Sequence, residues 1–298
     1  MATPFKIKIY LPSLQRYIFV KQFTNSTYKV LLKHIANKNA ETFNSYINNF
    51  IEEHSDVDIK ALNIIDKFVF LLNLRCISVG DSLVHTIQKD TSKYNLRYNI
   101  YDVIKNVTDN GDIKTNKTLK HNQYYIEMCV PKNLFIDIQE PNNFISTVGV
   151  KNKIFNLSKL SESEQVEAIN LLPGDFLFEL YDEIQNITST INKIELIKFK
   201  VDVDKNEFNT LYMYLDKDNM FNILGVFFNE LLTNLFIKQF ILSKEYNISC
   251  EYFDSLPPIE SEILYNFHKE VEQRTTDEMK QKSNGPNIPG VPGGGMVD

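Results

Sequence analysis

Five histidines (His34, His54, His85, His121, His268) and three cysteines (Cys76, Cys129, Cys250) are the side chains best suited to metal binding or nucleophilic chemistry. No histidine falls four residues from another, and the cysteines form no C-x-x-C pair. The spacing therefore specifies neither a zinc site nor a disulfide framework, and it suits a reducing compartment. Residues 202–206 read Asp-Val-Asp-Lys-Asn, like the start of a calcium loop. Glu207 stands where that loop needs glycine, however, and Met213 where it needs a bidentate acid. A second start at Asp216 and Asp218 fails in the same way, on Phe221 and Phe227. Glu179, Asp182 and Glu183 share a helix face, but acid–base catalysis would need one of them buried, and a solvated face is the simpler reading. No phosphate loop, dinucleotide fingerprint, nucleophile elbow or H-E-x-x-H occurs. These patterns give no catalytic residues, no cofactor and no metal.

The elements that would position any site are easier to read. Phe5, Ile7 and Ile9 alternate with Lys6, Lys8 and Tyr10, and with 17–20 they predict a β-hairpin across Leu11-Pro12-Ser13. Asn25 and Ser26 are candidate caps for a helix through Val30, Leu31, Lys33, His34 and Ile35, and a second helix spans about 41–53. Asp58 then opens an apolar helix over 59–76 that leaves Asp66, Lys67 and Asn73 off its apolar face and stops at Gly80. From about 90 to 155 the pattern is strand-like, with Leu96, Tyr98 and Ile100 alternating, a turn at 109–112 and a strand at 124–130. Helices follow at 161–172 and 176–191, separated by Pro173-Gly174-Asp175, then extended segments at 194–203 and 210–215.

A single helix over about 220–244 dominates the C-terminal half and is apolar around most of its circumference. Such a helix is either deeply packed or lies at an oligomer or partner interface, with Phe221, Leu224, Phe228, Leu231 and Leu235 as the contact residues. Pro258 begins a last helix whose apolar stripe, Ile263, Leu264, Phe267 and Val271, narrows toward a polar end. Five of the ten glycines fall in residues 284–298, a Gly/Pro-rich segment read either as a flexible tail or as a docking peptide carrying Ile288 and Val291. The whole is an α+β chain: an N-terminal hairpin-plus-helices module (1–88), a mixed, strand-rich middle (89–215), a C-terminal helical region (216–283) and the tail (284–298).

Charge and composition narrow the partners. The 298 residues carry 32 Lys+Arg against 38 Asp+Glu, a net charge of -6, and only four arginines. Plentiful aromatics (21 Phe, 15 Tyr) are not interleaved with arginine, so a nucleic-acid partner is not expected. Uninterrupted apolar runs are far shorter than the roughly 20 residues of a spanning helix, and residues 1–10 show no signal core, so neither membrane insertion nor secretion is expected.

The segment Leu62-Asn63-Ile64-Ile65-Asp66-Lys67-Phe68-Val69-Phe70-Leu71-Leu72-Asn73-Leu74-Arg75-Cys76-Ile77-Ser78-Val79-Gly80-Asp81 carries a resemblance. It is similar to the helix followed by R-x-x-S-[VI]-G in baseplate hub and hub-assembly proteins of T-even-type contractile-tailed bacteriophages, which also open with a Leu-Pro-containing strand pair and two helices. The similarity spans about 5–85 and, more weakly, 220–275, where Leu256-Pro257-Pro258-Ile259-Glu260 resembles a late helix opening in tail-assembly proteins. In the motif, Arg75 would bond helix carbonyls or a carboxylate, Ser78 would satisfy a turn, and Gly80 would allow positive φ.

The resemblance implies a non-enzymatic tail protein acting in assembly of the central hub, as a structural component or an assembly chaperone. Its partners would be other baseplate or tail proteins, with room for a homo-oligomer, in the host cytoplasm during assembly and in the virion if retained. Two alternatives stand beside it: a host-type cytosolic adaptor or chaperone using the 220–244 helix, and an enzyme of unrecognised family with a dispersed site.

Overall fold

The computed structural model describes residues 6–89, 92–110, 113, 117–204 and 207–283. The tail 284–298, with Ile288 and Val291, and residues 111–112 of the 109–112 turn and 205–206 of the 202–206 stretch lie outside them. The fold is α+β, with helices in the majority and strands gathered into small antiparallel sheets.

Strands β1 (Lys6–Leu11) and β2 (Arg16–Lys21) form the expected hairpin. Helix α1 (Asn25–Asn37) is capped by Thr24, one residue before the expected caps, and α2 (Ala40–His54) by Asn39. The expected 59–76 helix is split. Asp58 caps only a short 3-10 turn (Ile59–Ala61), and α3 (Ile64–Ser78) begins after Asn63. The reason is local: Asn63 and Asp66 form a reciprocal capping box, and the Ile64 N–H bonds the Pro131 carbonyl.

β3 (Ser82–Lys89) pairs with β4 (Ser92–Asn99). α4 (Ile100–Asn110) replaces the extended reading at Ile100, because the Asn99 side chain accepts the Tyr101 N–H and turns the chain. Ile100, Val103 and Val107 of α4 are buried, a helical spacing hidden by the strand-like run before it. β5 (Thr118–His121), β6 (Tyr124–Met128), β7 (Ile145–Val150) and β8 (Lys153–Asn156) make a four-stranded antiparallel sheet. α5 (Glu162–Asn170) starts at a Ser161/Glu164 capping box, and α6 (Gly174–Ile191) follows Pro173. β9 (Glu195–Asp204) and β10 (Glu207–Tyr214) pair as a hairpin.

The single 220–244 helix is two: α7 (Met220–Phe227) and α8 (Leu232–Tyr246), with 228–231 non-helical between them. A short α9 (Cys250–Ser255), not anticipated from sequence, precedes the 26-residue α10 (Pro258–Ser283). One continuous cluster of buried apolar side chains runs from Ile9 to Leu235 and takes members from the N-terminal, middle and C-terminal segments alike.

Helix α3 sits at its centre. All its residues are buried except Ile77, which is half-buried, including Asp66, Lys67 and Asn73, which the sequence pattern places off the apolar face. Each has a partner instead of water. Asp66 accepts from the backbone and hydroxyl of Ser13, Lys67 donates to Asn48 at 2.8 Å, and Asn73 donates to the Val69 carbonyl at 2.8 Å. Burial holds the Asp66 carboxyl above the usual carboxylate range, against the pull of the donors from Ser13 and Asn63.

Burial, with Lys132 nearby, pushes the Lys67 ammonium down to about 8. The folded state thus binds fewer protons than the unfolded chain between about 8 and the ordinary lysine value of 10.5. The Lys67 contribution to stability therefore rises with pH across that window. Lys67→Met should abolish the rise and stabilise the protein by about 1–3 kcal/mol at pH 7, since a buried charge without an acidic partner is removed. Urea midpoints at pH 7 and 9.5 check this, and a variant with the wild-type slope would disprove it.

Candidate interaction surface

The Arg75/Ser78/Gly80 motif forms a junction, with each residue acting on a different element. Arg75 donates its Nε to the Phe227 carbonyl at 2.9 Å, at the C-terminus of α7. That carbonyl has no partner inside its own helix, and a cation beside it complements the negative end of the helix. Burial works against the guanidinium charge, and Nη1 has no hydrogen-bond partner among the described residues. Ser78 Oγ accepts the Phe23 N–H at 3.1 Å, where the chain passes from β2 to α1. Gln22 reinforces this contact by donating to the Ile77 carbonyl at 2.5 Å. Gly80 adopts φ +127°, outside the range of other residues, and its N–H returns to the Arg75 carbonyl as the chain turns into β3.

The residues read as a partner interface are divided by the structure. Leu224, Phe228 and Leu235 are buried in the chain's own core, which corrects their reading as a contact surface. Phe228 packs on Tyr28, with ring centroids 6.4 Å apart, and the non-helical 228–231 segment is what swings it inward. Phe221 is half-buried, its ring against Phe135 and Phe43. Leu231 alone among the five is exposed, at 63%.

A polar clasp fixes which helix faces turn inward. The Lys29 ammonium on α1 reaches Asp254 at 2.5 Å and Gln239 at 3.0 Å, and lies over the rings of Phe236 and Phe253. Asn25 donates to the Phe253 carbonyl and meets the Ser261 hydroxyl, while its N–H bonds the Leu256 carbonyl. Lys238 joins Glu230 and Glu262; burial opposes its charge, but the two carboxylates keep its pKa above the usual lysine value. His268 on α10 meets the Tyr246 hydroxyl at 3.3 Å.

With those faces committed, the opposite faces of α8 and α10 are left apolar and uncovered. On α8 they present Ile237 and Phe240 (68% exposed), and on α10 Ile263, Phe267 and Val271. The sequence pattern identified the α10 stripe but assigned it no partner. Burying one such side chain on a partner contributes roughly 1.5–3 kcal/mol, so the two faces can supply an interface. Among the described residues, no three His, Cys, Asp or Glu side chains gather where a metal could bind. The stretch 217–246 is, by length and composition, apolar enough to cross a membrane, contrary to the expectation from uninterrupted runs. It is nevertheless interrupted at 228–231, and a third of its most apolar window is buried inside the protein.

Disrupting the junction should destabilise the fold. Ser78→Ala leaves the buried Phe23 N–H without an acceptor and should cost about 1–3 kcal/mol. Gly80→Ala should cost about 1 kcal/mol or more from backbone strain alone. Urea unfolding followed by circular dichroism reads both, and a Ser78→Ala protein as stable as wild type would remove the junction from the list of structural determinants.

The family described as T4 bacteriophage base plate protein matches residues 4–198. The match contains the hairpin, α1 to α3 and the Arg75/Ser78/Gly80 junction, and it covers most of the middle region, which suggested no family by its own pattern, as far as the start of β9. It stops before α7 to α10, so the weaker resemblance over 220–275 lies beyond it. No curated protein and no solved structure matches the chain. Since the match covers well over half of its length, the chain belongs to the T4 bacteriophage base plate protein family.

Proposed function

We propose that this baseplate protein acts in assembly of the central hub, as a structural component or an assembly chaperone, through protein–protein contacts and without chemistry of its own. Family membership supports a baseplate role in the virion tail among other baseplate proteins. The observation that carries the finer reading is the pair of uncovered apolar faces on α8 and α10, held outward by a clasp that satisfies the polar groups on their inner sides. Residues 269–280 of α10 are all exposed, so the helix extends the surface past the body of the protein. Its partners are tail proteins that meet it in the host cytoplasm during assembly, and we favour an assembly role with retention in the particle. Family membership favours this reading over the adaptor alternative.

The double substitution Ile263→Asp/Phe267→Asp should leave the melting temperature within a few degrees of wild type, because both side chains face solvent. It should lower co-purification of baseplate proteins from infected cells by about tenfold or more. Unchanged co-purification would move the contact away from α10. Deletion of 284–298 should likewise preserve folding and weaken partner association; equal association would reduce the tail to a linker. Mass spectrometry of purified particles and of isolated hub subassemblies separates the two roles. Stoichiometric presence marks a component, absence from finished particles marks a factor that leaves, and association only with peripheral baseplate proteins would overturn the hub assignment.

A further inference from the structure

Charge is unevenly distributed along the chain. Residues 1–40 contain seven Lys and Arg and no Asp or Glu, so the remaining 258 residues carry a net charge of -13. Two of the seven are engaged within the protein, Lys29 with Asp254 and Lys38 with Asn222. Four others, Lys6, Lys8, Arg16 and Lys21, lie on the β1–β2 hairpin, whose inner side chains Ile9, Leu11, Ile18 and Val20 are buried, and the three lysines share its outer face.

The register places the hairpin's outer face in three cross-strand pairs: Lys6 opposite Lys21, Lys8 opposite Phe19, and Tyr10 opposite Tyr17. Tyr17 and Phe19 are 62% and 52% exposed, and the Lys8 ammonium lies over both rings, 5.6 and 5.8 Å from their centroids. Two lysines directly opposed on a ladder repel one another, an arrangement that an external anion relieves. Glu52, Glu53 and Asp56 line a cleft beside Lys6, Phe19 and Lys21, together with His54, yet none of the three lysines comes within 4.0 Å of a carboxylate among the described residues. The face is therefore cationic, aromatic and uncovered.

A surface of the opposite character lies on α6. Asp175, Phe178, Glu179 and Asp182 fall at i, i+3, i+4 and i+7, one stripe of the helix, and all are exposed. Phe178, at 76%, is the most exposed large apolar side chain among the described residues. Asp175 is approached by His121 at 3.4 Å, while Glu179 and Asp182 form no ion pair there. An apolar ring framed by carboxylates is the complement of two aromatic rings framed by ammonium groups.

We propose that the outer face of the β1–β2 hairpin docks onto the α6 face of a second copy of this chain. Phe178 packs against Tyr17 and Phe19, and Glu179 and Asp182 meet Lys8, Lys6 and Lys21. Because the two surfaces differ, the contact is heterologous: each copy keeps one free hairpin face and one free α6 face, and growth proceeds head to tail into a ring or an open chain. Separate exposed ion pairs are weak, so the contact needs the apolar ring at its centre and is sensitive to salt.

The proposal is independent of the hub assignment and is tested on the purified full-length protein alone. Sedimentation velocity at about 50 mM salt should show concentration-dependent association that weakens about tenfold or more at about 500 mM. Lys8→Glu/Lys21→Glu and, separately, Glu179→Lys/Asp182→Lys should each abolish self-association, with unchanged circular dichroism because all four side chains lie at the surface. The two variants mixed should regain association, because the reversed hairpin of one matches the reversed α6 face of the other and their two unchanged faces still match, so the copies alternate head to tail. A protein that stays monomeric at low salt up to about 100 µM, a concentration at which even micromolar contacts are saturated, would overturn the proposal. So would association that persists in both variants. If either variant misfolds, Phe178→Ser and the salt titration of the wild type carry the same test.

Discussion

The fold depends on one constraint: helix α3 is buried around nearly its whole circumference while carrying polar side chains that cannot reach water. An apolar helix of this length can be buried wherever space allows. One that also carries Asp66, Lys67, Asn73, Arg75 and Ser78 can be buried only where each of these finds a partner at hydrogen-bonding distance. The partners come from separated parts of the chain: Ser13 from the hairpin turn, Asn48 from α2, Phe23 from the start of the first helical layer, and Phe227 from the end of α7. Removing any one leaves a buried group unsatisfied, so the polar groups fix the relative placement of elements that apolar packing alone would let slide.

The break between α7 and α8 follows from the same constraint. Continuing the helix past Phe227 would send its carbonyl back into an intrahelical bond and carry Phe228 away from Tyr28. With Arg75 bonded to that carbonyl and Phe228 in the core, the chain leaves the helix and restarts at Leu232. The restart lets α8 present Leu235, Lys238 and Leu242 inward while Ile237 and Phe240 turn outward. The exposed apolar surface is thus a geometric consequence of how α3 ends the preceding helix, set more than 150 residues earlier in the chain.

Much of this architecture is legible in the sequence, and the misses share a cause. Alternation found β1 and β2, helical spacing found α1, α2, α5 and α6, and the R-x-x-S-[VI]-G segment marked the junction that joins them. Periodicity treats a polar side chain as a report of solvent, and so it put Asp66 and Lys67 outside, although their partners lie 53 and 19 residues away in sequence. The same rule could not tell a core helix from an interface helix over 220–244, because both are apolar all round. What separated Leu224 and Leu235 from Leu231 was a break whose cause, the Arg75 guanidinium, is remote in sequence. Helix α4 was lost for a local reason: a single Asn99 side chain redirects the chain after eight residues of strand pattern.

The family match and the contact surfaces divide the molecule unevenly. Residues 4–198 contain α3, the N-terminal hairpin, the β3–β4 pair and the four-stranded sheet, while most of the β9–β10 pair and all of α7 to α10 lie beyond the match, and α7 to α10 dock on α1. Helix α7 docks by apolar burial, through Ile223, Leu224 and Phe227, whereas α8 to α10 add a polar clasp through Lys29, Asn25, Lys238 and Ser261 to the burial of Leu235, Leu242 and Phe253. A polar clasp specifies orientation strongly but contributes modest net free energy, since each bond replaces one made to water. An apolar face would do the reverse. With the orienting contacts inside, α8 and α10 are fixed in direction while Ile237, Phe240, Ile263 and Phe267 remain unused within the chain. That arrangement suits a protein whose final environment is an assembly of other proteins, and it explains how one chain can be well packed at its centre and still expose Phe240, Ile263 and Phe267.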